Sequence, residues 1–192
     1  MKIELLILPK KYADKIVFVK RKGVSAGRNE GSKVAKGNIL IFLDADKIVS
    51  YNTIEEIVKA FNKKKVVGAT CTILPLSGKN EDIFIYWFLN QFVEASIKIG
   101  RPKIPGMCCA YRKEVFYKVG GFDEKIRFLE DFDLSDKISK FGKIIFIKNT
   151  VVLTSVRRLE RWGRVKAIKK YLSFWLKQSL TKKPISPLNY KR

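Results

Sequence analysis

The segment Asn38-Ile39-Leu40-Ile41-Phe42-Leu43-Asp44-Ala45-Asp46 constrains this chain more than any other. Its run of five apolar residues, β-branched and aromatic types among them, predicts a strand buried on both faces, as inside a parallel sheet. Two carboxylates then arrive at the C-terminal end, spaced i and i+2. In open α/β sheets, ligands sit in the crevice beyond the carboxyl ends of the strands. An Asp-x-Asp placed there can offer oxygen ligands to a hard divalent cation, which in turn neutralises a diphosphate. A strand that merely ends in a solvated Asp turn would leave the same tripeptide, so the surrounding chain has to decide.

The flanking pattern alternates strands and helices. Residues 3–8 and 16–19 are strand candidates, with too few residues between them for a parallel crossover. Residues 23–37 read as a loop leading into a short helix, with Asn29 as cap, Val34 and Ala35 facing inward and Gly37 as the stop. Asn52-Thr-Ile-Glu55 looks like a capping box, followed by Ile54, Ile57, Val58 and Phe61 at helical spacing. Residues 66–73 form the next strand. Residues 80–99 are helical by pattern, and the stretch from Ile83 to Leu89 is apolar almost all round. Such a helix is either buried in the core or faces a membrane or partner. A loop at 101–106, a strand at 107–111 and a helix at 112–119 lead to Gly120-Gly121, a turn that needs positive φ or close backbone approach. A helix at 131–141 and strands at 143–148 and 151–156 complete the pattern. The expectation is an α/β fold, a mostly parallel sheet with helices on both faces. It spans residues 1–162, and residues 163–192 follow as a basic tail.

Composition narrows the function classes. With 192 residues, 46% hydrophobic and 12% aromatic, the chain can bury a sizeable core and is not disordered. Forty Lys and Arg against 18 Asp and Glu leave a net charge of +22. That balance points to a polyanionic partner, namely nucleic acid, an anionic membrane surface or phosphorylated substrates, or else to a lysine-rich surface of the thermophile kind. There is no His, so imidazole bases, His triads and His zinc sites are excluded and acid–base work falls to carboxylates. Cys71, Cys108 and Cys109 have no metal-ligand spacing, and their odd count argues for a reducing, cytoplasmic setting. The N-terminus lacks a signal-peptide pattern, and no stretch is long and charge-free enough to span a membrane.

Four motifs in order carry a family resemblance. Gly23-Val-Ser-Ala-Gly-Arg28-Asn29, continuing through Gly37 into Asp44-Ala45-Asp46, resembles the nucleotide-sugar signature of family 2 glycosyltransferases. Tyr111-Arg-Lys-Glu-Val-Phe116 with Gly120-Gly-Phe-Asp-Glu124, then Glu130-Asp-Phe-Asp-Leu134, are similar to its acceptor half. Arg158-Leu-Glu-Arg161-Trp162 resembles an Arg-Trp element found in some members. The resemblance implies a GT-A fold and a metal-dependent, inverting transfer from a nucleotide-sugar donor to a glycan, protein or lipid-linked acceptor. The first strand–helix unit of the family looks missing, with Pro9-Lys10-Lys11 where its acids would stand, so the N-terminal half reads as shortened.

By this resemblance Asp46, with Asp44, would hold Mn²⁺ or Mg²⁺ through oxygen ligands, with Asp44 tending toward the ribose. Arg28 and Lys33 are candidate donor contacts. Asp131, with Glu130, is the candidate base, and a place in the first helical turn favours its ionised form. Gly106, Arg158, Arg161 and Trp162, beside Arg157, are assigned to the acceptor and phosphate side, since guanidiniums suit phosphate oxygens. The rival reading, which the charge favours, is a degenerate transferase scaffold that binds nucleic acid or anionic surfaces. The tail places Val165, Ile168, Leu172, Trp175, Leu176 and Ser179 on one helical face, with Arg164, Lys166, Lys169, Lys170 and Lys177 mostly off it. Such a helix packs on the domain or lies flat on an anionic bilayer.

Overall fold

In the computed structural model, residues 12–21, 23–126, 128–170 and 173 are described; the strand expected at 3–8 and most of the tail lie outside them. The elements in order are α1 (Val24–Val34), β1 (Ile39–Leu43), β2 (Lys47–Val49), α2 (Thr53–Phe61), β3 (Val66–Pro75), α3 (Asn80–Lys98), β4 (Cys108–Arg112), α4 (Lys113–Lys118), α5 (Glu130–Ser139), β5 (Lys143–Thr154) and α6 (Arg157–Trp162). Among the described residues, five strands form one sheet in the order β1-β4-β3-β5-β2. Of their pairings, β3–β5 is parallel and β1–β4, β3–β4 and β2–β5 are antiparallel. The expected mostly parallel sheet is therefore corrected to a mixed one. The pattern of apolar residues sets a strand's faces but not its direction, which depends on where the connections return the chain.

That direction matters for the site. β4 pairs antiparallel with β1, and Cys108 lies opposite Leu43. The loop just before β4 therefore meets the chain just after β1, and Gly106 comes to the same end as Asp44. β2 pairs antiparallel with β5, Lys47 opposite Thr154, so α6 starts beside Asp46. Two antiparallel pairings thus gather three distant segments at the C-terminal end of β1.

Apolar clusters cover both sheet faces. On one side Leu40, Phe42, Cys109 and Tyr111 pack with Val115 and Phe116 of α4 and with Leu134 and Ile138 of α5. On the other, Cys108 and Ala110 pack with Ile57, Ala60 and Phe61 of α2, with Ile39 and Ile41 at the margin. The run 39–43 does feed both faces, as its continuous apolar character predicts, yet β1 is an edge strand among the described residues and Leu43 is exposed. Phe42 anchors its side through edge-on contact with Phe122 at 5.2 Å and a tilted contact with Phe116 at 5.3 Å. Truncating such a buried ring to Ala costs about 3–5 kcal/mol.

Several local expectations change. Residues 16–19 form no strand. Asn29 lies inside α1 and caps nothing there. Asn52 precedes α2 without a side-chain cap; it donates instead to the Asn149 carbonyl at 2.9 Å and accepts from Thr150 at 3.0 Å. These bonds hold a bulge in β5, where the register with β3 jumps from Cys71↔Ile147 to Thr72↔Val151. The two last strands are accordingly one bulged strand. Helix α3 is not the buried core helix its composition allows. It turns Asp82, Tyr86, Asn90, Val93 and Ser96 inward and leaves Ile83, Phe84, Trp87 and Phe88 exposed. Its polar residues face in because the sheet edge needs them: Asn90 takes both the N–H and the C=O of Ile73, at 3.0 and 2.8 Å, beyond the last β4 pairing.

Candidate active site

The site is assembled around Arg28. Its guanidinium, 12% exposed, donates to Asp44 Oδ1 at 2.8 Å, to the Gly106 carbonyl at 2.9 Å and to Glu130 Oε1 at 3.3 Å. It also lies over the Phe122 ring at 5.2 Å. One side chain from α1 thus clasps the turn after β1, the loop before β4 and the first residue of α5. A Cβ at Gly106 would come within 2.7 Å of both terminal nitrogens of Arg28, so a side chain there would displace the guanidinium. Its N–H donates to Asp131 Oδ2, so Gly106 joins the guanidinium on one side to the candidate base on the other.

Asp131 also accepts from the Phe132 N–H at 2.9 Å. Burial, followed by the neighbouring Glu130 charge, pushes its carboxyl up to about 7, against the lowering effect of the Gly106 amide and Arg28. The expected ionised carboxylate is therefore corrected. A place at a helix start favours the charge by at most a kcal/mol or so at a surface, and desolvation outweighs it. Leu129, immediately before, adopts a left-handed conformation (φ 61°), the one non-glycine residue with positive φ among those described. Its carbonyl accepts from the Phe132 and Asp133 N–H groups and so closes the first turn of α5.

The pair at the end of β1 has a different character. The side chains of Asp44 and Asp46 are both 39% exposed. Lys47, its own side chain 5% exposed, lies between them: its ammonium contacts Asp46 directly and stands 3.9 Å from Asp44 Oδ2. Arg157 reaches Asp46 Oδ2 at 3.8 Å. The Lys47 hydrogen bond is the main reason that the Asp46 carboxyl titrates below its ordinary range. The Asp46 carboxyl thus stays ionised, and both acids lie among cations. The set of ligand atoms is all oxygen, and no group of three His, Cys, Asp or Glu gathers among the described residues. Two carboxylates suit Mg²⁺ or Mn²⁺, which take one or two protein carboxylates and complete their shell with phosphate oxygens and water.

The remaining expected residues fall in different places. Lys33 is on the outer side of α1, 60% exposed and paired with Glu30 at 2.9 Å. Arg158 and Lys170 lie over the Trp162 ring at 5.9 and 4.2 Å, and Trp162 packs beside Met107 against the cluster of Ile73, Tyr86 and Leu159. Arg161 is exposed. Two residues outside the expected set emerge. Lys47 was signalled only by adjacency to Asp46. Asn29 follows Arg28 and holds the opposite half of the chain: it donates to the Phe122 carbonyl at 2.9 Å and accepts from the Phe122 N–H at 3.0 Å. Gly121, at φ 69°, leaves room for it, since a Cβ would come within 2.8 Å of Asn29 Oδ1. The expected positive φ holds at both Gly120 and Gly121.

Comparison with known proteins gives the family. The model of glycosyl transferase family 2 matches residues 10–120, more than half of the chain. The chain belongs to glycosyltransferase family 2. An uncharacterized glycosyltransferase of Haemophilus influenzae is 26% identical over 144 residues, covering 70% of this chain and 48% of its own length. Among solved structures, the mannosyltransferase PcManGT of Pyrobaculum calidifontis, in complex with GDP-Man and Mn²⁺, matches with a TM-score of 0.58 at 19% identity. The match covers 82% of this chain and 46% of that one. GalNAc-T7 with UDP, GalNAc and Mn²⁺ matches with a TM-score of 0.62 at 21% identity, covering 81% and 36%. These likenesses make the fold of this family 2 chain that of the GT-A glycosyltransferases. The chain spans about half or less of the length of these relatives.

Proposed function

We propose that this family 2 chain transfers a sugar, with inversion, from a nucleotide-diphosphate donor to an acceptor hydroxyl. The observation that carries the reading is the convergence on Arg28. One buried guanidinium bonds Asp44 of the half-exposed acid pair, Glu130 and the Gly106 carbonyl, and the Gly106 N–H in turn bonds Asp131, whose carboxyl is pushed up to about 7. A single-displacement transfer needs both: a charged cradle for the departing diphosphate and a base for the attacking oxygen.

In this reading Asp131 accepts the acceptor hydroxyl proton as the new bond forms at the sugar carbon and the bond to the diphosphate oxygen breaks. A carboxyl near 7 suits the task, because a base works best with its pKa close to the operating pH. Glu130, paired with Arg28, lies beside Asp131, and its charge helps to raise the Asp131 proton affinity. Asp46, with Asp44 beside the ribose, would hold Mn²⁺ or Mg²⁺, which supplies positive charge for the leaving diphosphate. The Mn²⁺ in the complexes of PcManGT and GalNAc-T7 supports that choice. Arg28, Lys47 and Arg157 add fixed positive charge around the same acids, and Lys33 is left to a more peripheral donor contact. Gly106, Arg158, Arg161 and Trp162 belong to the acceptor and phosphate side. The excess of cations fits an acceptor that is anionic, lipid-linked or held at a membrane face, and the protein attaches there peripherally. Among the described residues no helix is long and apolar enough to cross a membrane.

The test is donor turnover with Mn²⁺ across a panel of nucleotide sugars, together with nucleoside diphosphate binding by calorimetry. Binding should be tighter with Mn²⁺ than with EDTA, and Asp46→Ala should erase the difference. Binding indifferent to metal and to Asp46 would overturn the assignment, and a protein that binds nucleic acid but no nucleotide would favour the rival scaffold.

A further inference from the structure

Helix α3 is built the wrong way round for a packing helix. Its inward positions carry Asp82, Asn90 and Ser96, while Phe84, Trp87 and Phe88 are 64%, 52% and 59% exposed, with Ile83 beside them. Phe84 and Trp87 stack on one another at 5.8 Å between ring centres. Residues 164–170 form a helical segment alongside. Arg164 fixes it there through a two-pronged pair with Asp82, at 2.7 and 2.8 Å, and Ala167 is fully buried against the α3–α6 cluster. The apolar side of this segment, expected either to pack or to lie on a bilayer, faces outward: Val165 is 67% exposed and Ile168 39%. Phe84, Ile85, Val165 and Ile168 line one shallow groove between the two helices, whose surface is mostly apolar although Asn80, Glu81 and Arg164 border it.

Apolar side chains scattered singly on a surface need no explanation, but a contiguous patch does. This one is edged by the exposed lysines Lys79, Lys166 and Lys169, on a chain of net charge +22. Aromatic rings flanked by lysines suit the boundary between lipid headgroups and acyl chains, where the rings bury and the ammonium groups meet anionic lipid. The same helix carries Phe92, whose ring lies 6.5 Å from that of Phe132, the residue after Asp131. Helix α3 thus touches the residue next to the candidate base.

We propose that the outward face of α3, with Val165 and Ile168, docks on an anionic lipid bilayer and holds the site beside its acceptor. This rests on the reading of peripheral attachment given above and names the surface that makes the attachment.

Flotation of the full-length protein with vesicles of phosphatidylglycerol and phosphatidylcholine tests it. The wild type should float, less so as salt rises, and hardly at all with phosphatidylcholine alone. The triple variant Phe84→Ser, Trp87→Ser, Phe88→Ser should lose roughly tenfold or more in partition, while nucleoside diphosphate binding stays intact as proof of folding. Brominated acyl chains should quench the wild-type fluorescence more than that of Trp87→Phe. Equal flotation of the triple variant would overturn the proposal. If a Trp175→Ser, Leu176→Ser variant then fell away, membrane attachment would stand with the tail as its agent. A wild type that ignores anionic vesicles would sink both readings, and a dimer dissolved by the triple variant would make a second copy the occupant.

Discussion

The two acid pairs of this chain make a controlled contrast. Asp44 and Asp46 end a strand, stay half exposed and are crowded by Lys47, Arg28 and Arg157. Glu130 and Asp131 begin a helix, and the Asp131 carboxyl is buried against backbone amides beside a like charge. The same functional group is driven in opposite directions, Asp46 below its ordinary range by its hydrogen bond to Lys47 and Asp131 up to about 7 by burial. The proposed roles follow that split, one pair to sit beside positive charge and the other to exchange a proton. Environments that push two titratable groups apart are how one site separates such roles.

The contrast breaks most visibly at Asp131. Asp131→Asn keeps the shape and removes proton-accepting capacity, so turnover should fall by roughly 10²–10⁴-fold with little change in donor affinity. In the wild type, turnover should rise with pH through about 7 as Asp131 ionises. Folding stability should move the other way. The folded carboxyl holds its proton more tightly than the unfolded one, which titrates near about 3.9. Stability should therefore decline as pH rises from about 4 to about 7, and flatten above. Urea midpoints across that range should lose this slope in Asp131→Asn. A variant that keeps full turnover would hand the proton to Glu130.

Arg28 tests whether the two pairs are one site. Arg28→Met leaves Asp44 and Glu130 without their shared cation, and breaking a buried ion pair from one side costs about 3–5 kcal/mol. Because Asp44 is part exposed, the loss should lie at or below the low end. Arg28→Lys should restore charge without the fork that spans three partners. It should recover much of the stability but little turnover, read by urea denaturation and donor assays together. Recovery of both would reduce the clasp to simple charge.

How much of this was legible beforehand follows from the range of each interaction. The strand at β1, the paired acids and the positive φ at Gly120 and Gly121 were readable because they rest on local pattern and residue type. Sheet direction was not, since a strand's periodicity is the same either way. Nor was the work of Arg28, read as a donor contact: its partner Glu130 lies 102 residues away. Asn29 looked like a cap for the same reason, its true partner being the Phe122 backbone. Leu129 carried no signal at all, because nothing in a leucine announces a left-handed backbone.

Lys47 sharpens the contrast from the other side. It fills the space between two acids assigned to a metal, so cation and lysine compete for the same oxygens. Lys47→Met should bind Mn²⁺ several-fold more tightly, by electron paramagnetic resonance titration, since each tenfold corresponds to only about 1.4 kcal/mol. Metal-free nucleoside diphosphate binding should weaken by a similar factor. Both affinities moving in one direction would mean that Lys47 acts only through the fold.

The smallest effect concerns the residue just before Glu130 and the proposed base. Leu129 takes φ 61°, a conformation that costs an ordinary L-residue roughly 1–2 kcal/mol and that Asn tolerates better. It is also part buried, so its side chain contributes apolar burial of the order of 1 kcal/mol. Leu129→Asn relieves the first and forfeits the second, and its net stability should shift by less than about 1 kcal/mol. Leu129→Val keeps an apolar side chain but adds β-branching, which fits a left-handed backbone worst of all. If apolar contact ruled this position, Val would be the milder change. If backbone strain rules it, Asn is milder, and Val should be the less stable of the two by about 1 kcal/mol. Paired urea denaturation of the two variants at one pH decides the order.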